Sequence, residues 1–193
     1  MYYDRSLTTG YNPSWLPRFI CNRELEMELE RTGGIHSSDA PVSDSFSSDL
    51  HLVVLVNRNE QREMVRWSEI PRTVDDFEGL FDIAFWNFKK TLPSSEPTFI
   101  LSPSGLTKQV TFGNSEDSLL LVAGSFWRRL FVHCKADILA ACPTNETLLV
   151  ADAGVPGARV ELQARTDEIF KSASHPLSNR LISWGGWGWS DES

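Results

Sequence analysis

Cys142, Asp152 and His175 are the residues of this sequence whose types could together perform nucleophilic chemistry, with the cysteine attacking, the histidine as base and the aspartate orienting the imidazole. A hydrolase or transferase would need all three at one place. Chain spacing does not bring them there, and Cys142 stands before Pro143 at the end of an apolar run, where a buried structural thiol is the ordinary occupant. His175 follows a helical pattern and fits a residue beyond a helix C-terminus.

His133, Cys134 and Asp137 carry metal-ligating atoms, but neighbouring positions on a helix point about 100° apart and do not easily reach one ion. Core packing is the better account of Cys134. His36 and His51 have no ligand partners at a useful interval, so no metal site is expected. Gly154-Val155-Pro156-Gly157 before a helix echoes a phosphate loop only faintly, because Pro156 has no amide to donate. No cofactor is expected.

The net charge of −8 leaves no basic field for nucleic acid or an anionic membrane surface. Arg128-Arg129, and Arg62 and Arg66 beside Trp67, are the densest basic spots, and surface ion pairs account for them. No apolar run approaches the ~20 residues that span a bilayer, and Met1-Tyr2-Tyr3-Asp4-Arg5 lacks the basic and apolar regions of a leader, so a cytoplasmic protein is expected. Cys21, Cys134 and Cys142 show no disulfide or zinc spacing and read as reduced thiols. The 41% of hydrophobic and 23% of charged residues predict a packed core.

The elements that would position these groups follow from periodicity. Residues 1–48 read as an irregular aromatic arm, a short helix over 20–31 stopped by Gly33-Gly34, and a Ser/Asp/Pro-rich linker over 37–48. Residues 49–184 form the globular domain. Leu50 to Val56 is a buried central strand, paired across Asn57-Arg58-Asn59 with Glu63 to Ser68. Val74, Phe77, Leu80, Phe81, Ala84, Phe85 and Phe88 recur at helical spacing, with Thr73 as cap, Asp75 and Asp76 at the positive end and Pro93 as stop.

Thr98 to Leu101 and Thr107 to Phe112 make a hairpin around Ser102-Pro103-Ser104-Gly105, and 138–142 and 147–151 make another around Pro143-Thr144-Asn145-Glu146. Leu119 to Ala123 reads as a strand, Phe126 to Cys134 as a short helix, Ala158 to Ala173 as a helix and Arg180 to Trp184 as an edge strand. The order predicts an α+β fold, with amphipathic helices packed on a mixed or mainly antiparallel sheet. Residues 185–193 remain as a Gly/Trp-rich acidic tail.

Between Asp49 and Trp184 the chain resembles the YtpQ family of uncharacterised bacterial proteins. The resemblance rests on Asp49-Leu50-His51-Leu52-Val53-Val54-Leu55, the helix from Phe81 to Leu92, Ser118-Leu119-Leu120-Leu121 leading into Phe126-Trp127, Ala136 to Pro143, Leu148 to Asp152, and His175-Pro176-Leu177-Ser178-Asn179-Arg180-Leu181. It implies an α+β fold in a bacterial cytoplasm and brings no activity, cofactor or catalytic residue with it. The aromatic arm, Asn179 and the Trp-rich end depart from the family pattern.

Aromatic residues concentrate at the ends. Trp184, Trp187 and Trp189 are separated by glycines, and Trp15 stands at the other end with Tyr2 and Tyr3. Docking on their own chain is the first expectation for such indoles, and docking on another subunit or protein the second, since aromatic anchors commonly dominate interfaces. The reading is therefore a non-enzymatic interaction module, an adaptor or inhibitor, that binds another protein or itself through these aromatics and its acidic surface. A small-molecule binding module is a further alternative.

Overall fold

The computed structural model describes residues 15–59, 61–70, 77–92, 96–113 and 116–192. Tyr2, Tyr3 and Tyr11 of the expected arm, the helix-capping residues 73–76 and Pro93 lie outside them.

The first sheet begins earlier than the sequence suggests. Leu16–Cys21 (β1) is a strand and not part of an irregular arm, and the helix after it spans Asn22–Thr32 (α1). Pro17 does not prevent the strand, because β1 lies at a sheet edge, where a missing N–H is tolerated. Gly33 ends α1 in the left-handed region at φ 88°, as expected of a C-terminal glycine.

The stretch 37–48 is not a linker. Val42 is fully buried and its N–H donates to the Val65 carbonyl at 2.9 Å, and Ser43–Ser45 (β2) pairs with the central strand. That central strand, Leu50–Arg58 (β3), carries β1 and β2 as antiparallel neighbours and also pairs with Gln61–Met64 (β4). The next helix, Phe77–Thr91 (α2), buries Leu80, Phe81, Ala84 and Phe88 at the spacing the sequence predicts.

Among the described residues the second sheet has six strands. Thr98–Leu101 (β5) and Thr107–Thr111 (β6) form one expected hairpin, and Ile138–Thr144 (β7) and Thr147–Asp152 (β8) the other. Between them, Asp117–Val122 is a 3-10 helix where a strand was expected, followed by Gly124–Phe131 (α3). Its carbonyls are taken by indoles and not by a neighbouring strand: Trp127 Nε1 donates to Leu120 O at 2.6 Å and Trp189 Nε1 to Leu121 O at 2.8 Å. A short, wholly apolar run has no period that could have told the two apart.

After Ala158–Ser172 (α4), the chain adds Ile182–Trp184 (β9) and Trp189–Asp191 (β10), giving the order β10-β9-β7-β8-β6-β5. The strand ending at Trp184 is thus interior and not an edge, because the expected tail supplies one more strand. Gly186, at φ 94°, allows the turn between them.

Every strand pair among the described residues is antiparallel, and the fold is α+β. The main core takes Phe19, Leu52 and Val54 from the first sheet and Val110, Ile138, Leu148 and Val150 from the second, with Trp127 fully buried among them. α4 covers the far face of the second sheet, its Leu162 packing with Leu139 and Leu149, and α1 covers the far face of the first over Ile20, Val53 and Leu55. The layers run α1, sheet, core, sheet, α4.

Candidate functional site

Asp152 does not join the other two candidate catalytic residues, although the chain after His175 runs beside Cys142, the Ser178 N–H donating to the Cys142 carbonyl at 3.1 Å. Cys142 is 1% exposed inside the main core, and burial pushes its thiol far above the ordinary range, so it does not supply a thiolate. Asp152 stands opposite Ile138, four residues along β7 from Cys142 and therefore about 13 Å away by strand rise. His175 is exposed.

Asp152 has a structural task. Its carboxylate accepts the N–H groups of Lys135 at 2.8 Å, Ala136 at 3.3 Å and Gly154 at 2.8 Å. Burial opposes its ionisation, yet these backbone donors together hold the carboxyl below its usual value. A side chain at Gly154 would meet the Lys135 Cβ at 2.8 Å, so this glycine serves a close turn and needs no phosphate to explain it.

No group of three or more metal-ligating side chains occurs among the described residues. Cys134, expected inside the helix, lies three residues beyond the end of α3 and directs its thiol back to the Leu130 carbonyl at 3.6 Å.

The aromatic candidates divide. Trp15 and Trp184 are each 5% exposed, and Trp189 is half-buried, stacked edge-on against Trp184 at 5.3 Å and Trp127 at 4.9 Å. Asn87 Nδ2 donates to the Trp15 carbonyl at 3.0 Å, fixing that end too. Trp15 and Trp184 are core residues of their own chain and Trp189 packs partly buried against that core, so all three dock on the chain that carries them. Trp187 is 96% exposed.

A polar groove of about 430 Å³ lies between α1 and β4, lined by Glu28, Arg31, Arg62, Glu63, Met64 and Arg66. Its charges answer one another. Arg31 and Arg66 both bond Glu28, and Arg62 bonds Glu116 at 2.7 Å. The hydrogen bond from Arg31, strengthened by Arg66, lowers the Glu28 carboxyl to about 2. A depressed folded value stabilises above the ordinary carboxyl range, and that contribution disappears as pH falls toward 2. With its guanidinium groups engaged, the groove is an ion-pair network that closes α1 onto the sheet, as the expected surface pairing of Arg62 and Arg66 requires.

The free edge of the six-stranded sheet is different in kind. All four residues of β5 are exposed, with Phe99 at 38%, Ile100 at 50% and Leu101 at 60%. β5 is terminal in the strand order, so among the described residues nothing pairs with its outer side. The direction of its free groups follows from the ladder: the Ser102 N–H donates to the Thr107 carbonyl at 2.9 Å, toward β6. Alternation then turns the N–H and C=O of Phe99 and Leu101 outward.

Phe99 lies opposite Val110 of the main core and stacks on Phe126 of α3 at 6.2 Å, with the Lys108 ammonium 5.8 Å from its ring centre. Ile100 lies opposite Gln109, on the face that carries α4. The edge thus offers backbone donors and acceptors in line with apolar side chains on both faces. Natural sheets commonly blunt such edges with charge, bulges or cover. The hairpin is legible in the sequence but its place at the sheet terminus is not, since an apolar run reads the same at the edge as in the middle of a sheet.

Neither a family model, nor a curated protein, nor a solved structure matches the chain.

Proposed function

We propose that the chain is a non-enzymatic protein-interaction module that accepts an extended segment along β5. The observation that carries this reading is the run Phe99-Ile100-Leu101, apolar, exposed and at the sheet terminus with its outward backbone groups unanswered among the described residues. In strand addition, backbone hydrogen bonds supply affinity and alternate side chains supply choice of partner. The net charge of −8 favours a protein partner over nucleic acid. The described residues contain no helix long and apolar enough to cross a membrane, and the reading assumes none. The proposal includes a bacterial cytoplasmic setting, which the resemblance to the YtpQ family supports.

A photoreactive amino acid at Ile100 tests the reading, with Val160 of α4, 74% exposed, as the control position. Cross-linked partners are identified, purified and titrated against the parent and Leu101→Pro. Proline at 101 deletes an outward donor while leaving the β5–β6 ladder whole, so affinity should fall at least tenfold with the fold retained. Equal capture at both positions, or unchanged binding by Leu101→Pro, would overturn the proposal.

A further inference from the structure

The segment Pro97-Thr98-Phe99-Ile100-Leu101-Ser102-Pro103 reads alike in both directions by residue class, with Ile100 at its centre. An antiparallel pair with a second copy, centred on Ile100, would place proline opposite proline, hydroxyl opposite hydroxyl and Phe99 opposite Leu101. Directly opposed residues share a face, so every close contact joins like with like and no charge is buried.

The backbone agrees with the same register. Phe99 and Leu101 turn their N–H and C=O groups outward, and in this register they are each other's partners. Each pair exchanges two hydrogen bonds, and the twofold axis doubles that to four. Ile100 meets the Ile100 of the second copy as a pair without hydrogen bonds, the arrangement in which side chains come closest. The next outward positions are Pro97 and Pro103, which have no N–H to donate. Pairing therefore stops after the apolar triplet.

We infer that the occupant of the β5 edge is a second copy of this chain, paired antiparallel about Ile100 so that two six-stranded sheets join. The inference rests on the strand-addition reading and names its partner. A contact of four hydrogen bonds and a few side chains buries less than the ~800 Å² per partner of a standard interface, so the dissociation constant is roughly 10 µM or weaker. Each copy carries −8, and long-range repulsion weakens as salt shortens the screening length. Association should therefore tighten between low and moderate salt.

Sedimentation equilibrium over micromolar to millimolar concentrations, with register-specific cross-linking, tests this. The expected results are a mass rising from 21.8 kDa toward twice that value, and a covalent dimer on mild oxidation of Ile100→Cys, with the new bond located by mass spectrometry. Thr98→Cys should give none, because its partner in this register is Ser102. Ile100→Lys sets two ammonium groups face to face and should weaken association at least tenfold while the circular dichroism spectrum is kept.

A chain that stays monomeric at millimolar concentration, with no cross-link through Ile100, overturns the second-copy inference. If Leu101→Pro still blocks a different purified partner, strand addition at β5 survives that result. A dimer indifferent to Ile100→Lys, together with partner binding indifferent to Leu101→Pro, sinks both.

Discussion

The six-stranded sheet has β10 at one side and β5 at the other, and the two edges are finished by opposite means. At β10, Trp189 turns back onto Trp184 and Trp127, and the Asp191 carboxylate accepts the Ser48 N–H at about 3.1 Å. Glu192 follows with an ion pair to Arg159 at 2.7 Å. At β5, four exposed residues end the sheet with three apolar side chains and no acidic or basic one. Tryptophan content suggests the first edge as the adhesive one; burial and backbone direction assign that property to the second. An indole held by two ring contacts and a hydrogen bond is occupied, whereas a modest Phe-Ile-Leu run at a terminus has surface left to give.

Removing an indole from the β10 side should have the largest effect. Trp184→Ala should cost about 3–5 kcal/mol of folding stability, as large-to-small changes at fully packed aromatics do, measured by urea denaturation. A cost under about 1 kcal/mol would show the Trp-rich end to be loosely held and return it to candidacy as an interface. Asp191→Ala removes the carboxylate that ties β10 to the loop at Ser48 and should cost about 1 kcal/mol, with faster amide exchange at Ser48.

On the β5 side the effects on folding should be small. Leu101→Lys should change unfolding stability by less than about 0.5 kcal/mol, because the side chain is already 60% exposed. A larger loss would mean that β5 supports the fold, and the contrast between edges would weaken. Trp187→Ala should shift stability least, also within about 0.5 kcal/mol, and should leave association unchanged. Loss of self-association in that variant would move the adhesive surface to the C-terminal turn.

Elements made from adjacent residues were legible, and elements made by distant partners were not. Both hairpins could be read from turn chemistry at 102–105 and 143–146, and α2 from its apolar repeat, because those signals lie within the segments themselves. β1 was missed because its strand character comes from pairing Leu16 to Cys21 with Leu50 to Leu55, across more than a helix and a loop. β10 was missed for the same reason, and Gly185 to Gly188 read as a tail where they make a turn. The proposed site was half visible: Phe99, Ile100 and Leu101 stood in a predicted strand, yet strand order is not written in any local pattern.

By itself, then, the sequence determined an α+β chain with a packed core, two local hairpins, amphipathic helices and an acidic net charge, since composition and periodicity act over a turn or two. Tertiary structure alone decided that Asp152 stands apart from Cys142, that Asp152 fastens loops, that Trp15 and Trp184 are structural, and that β5 is last in its sheet. The physical reason is common to all four. Access to water, and a neighbour for each backbone group, are set by which segments meet, and that is a property of the folded whole.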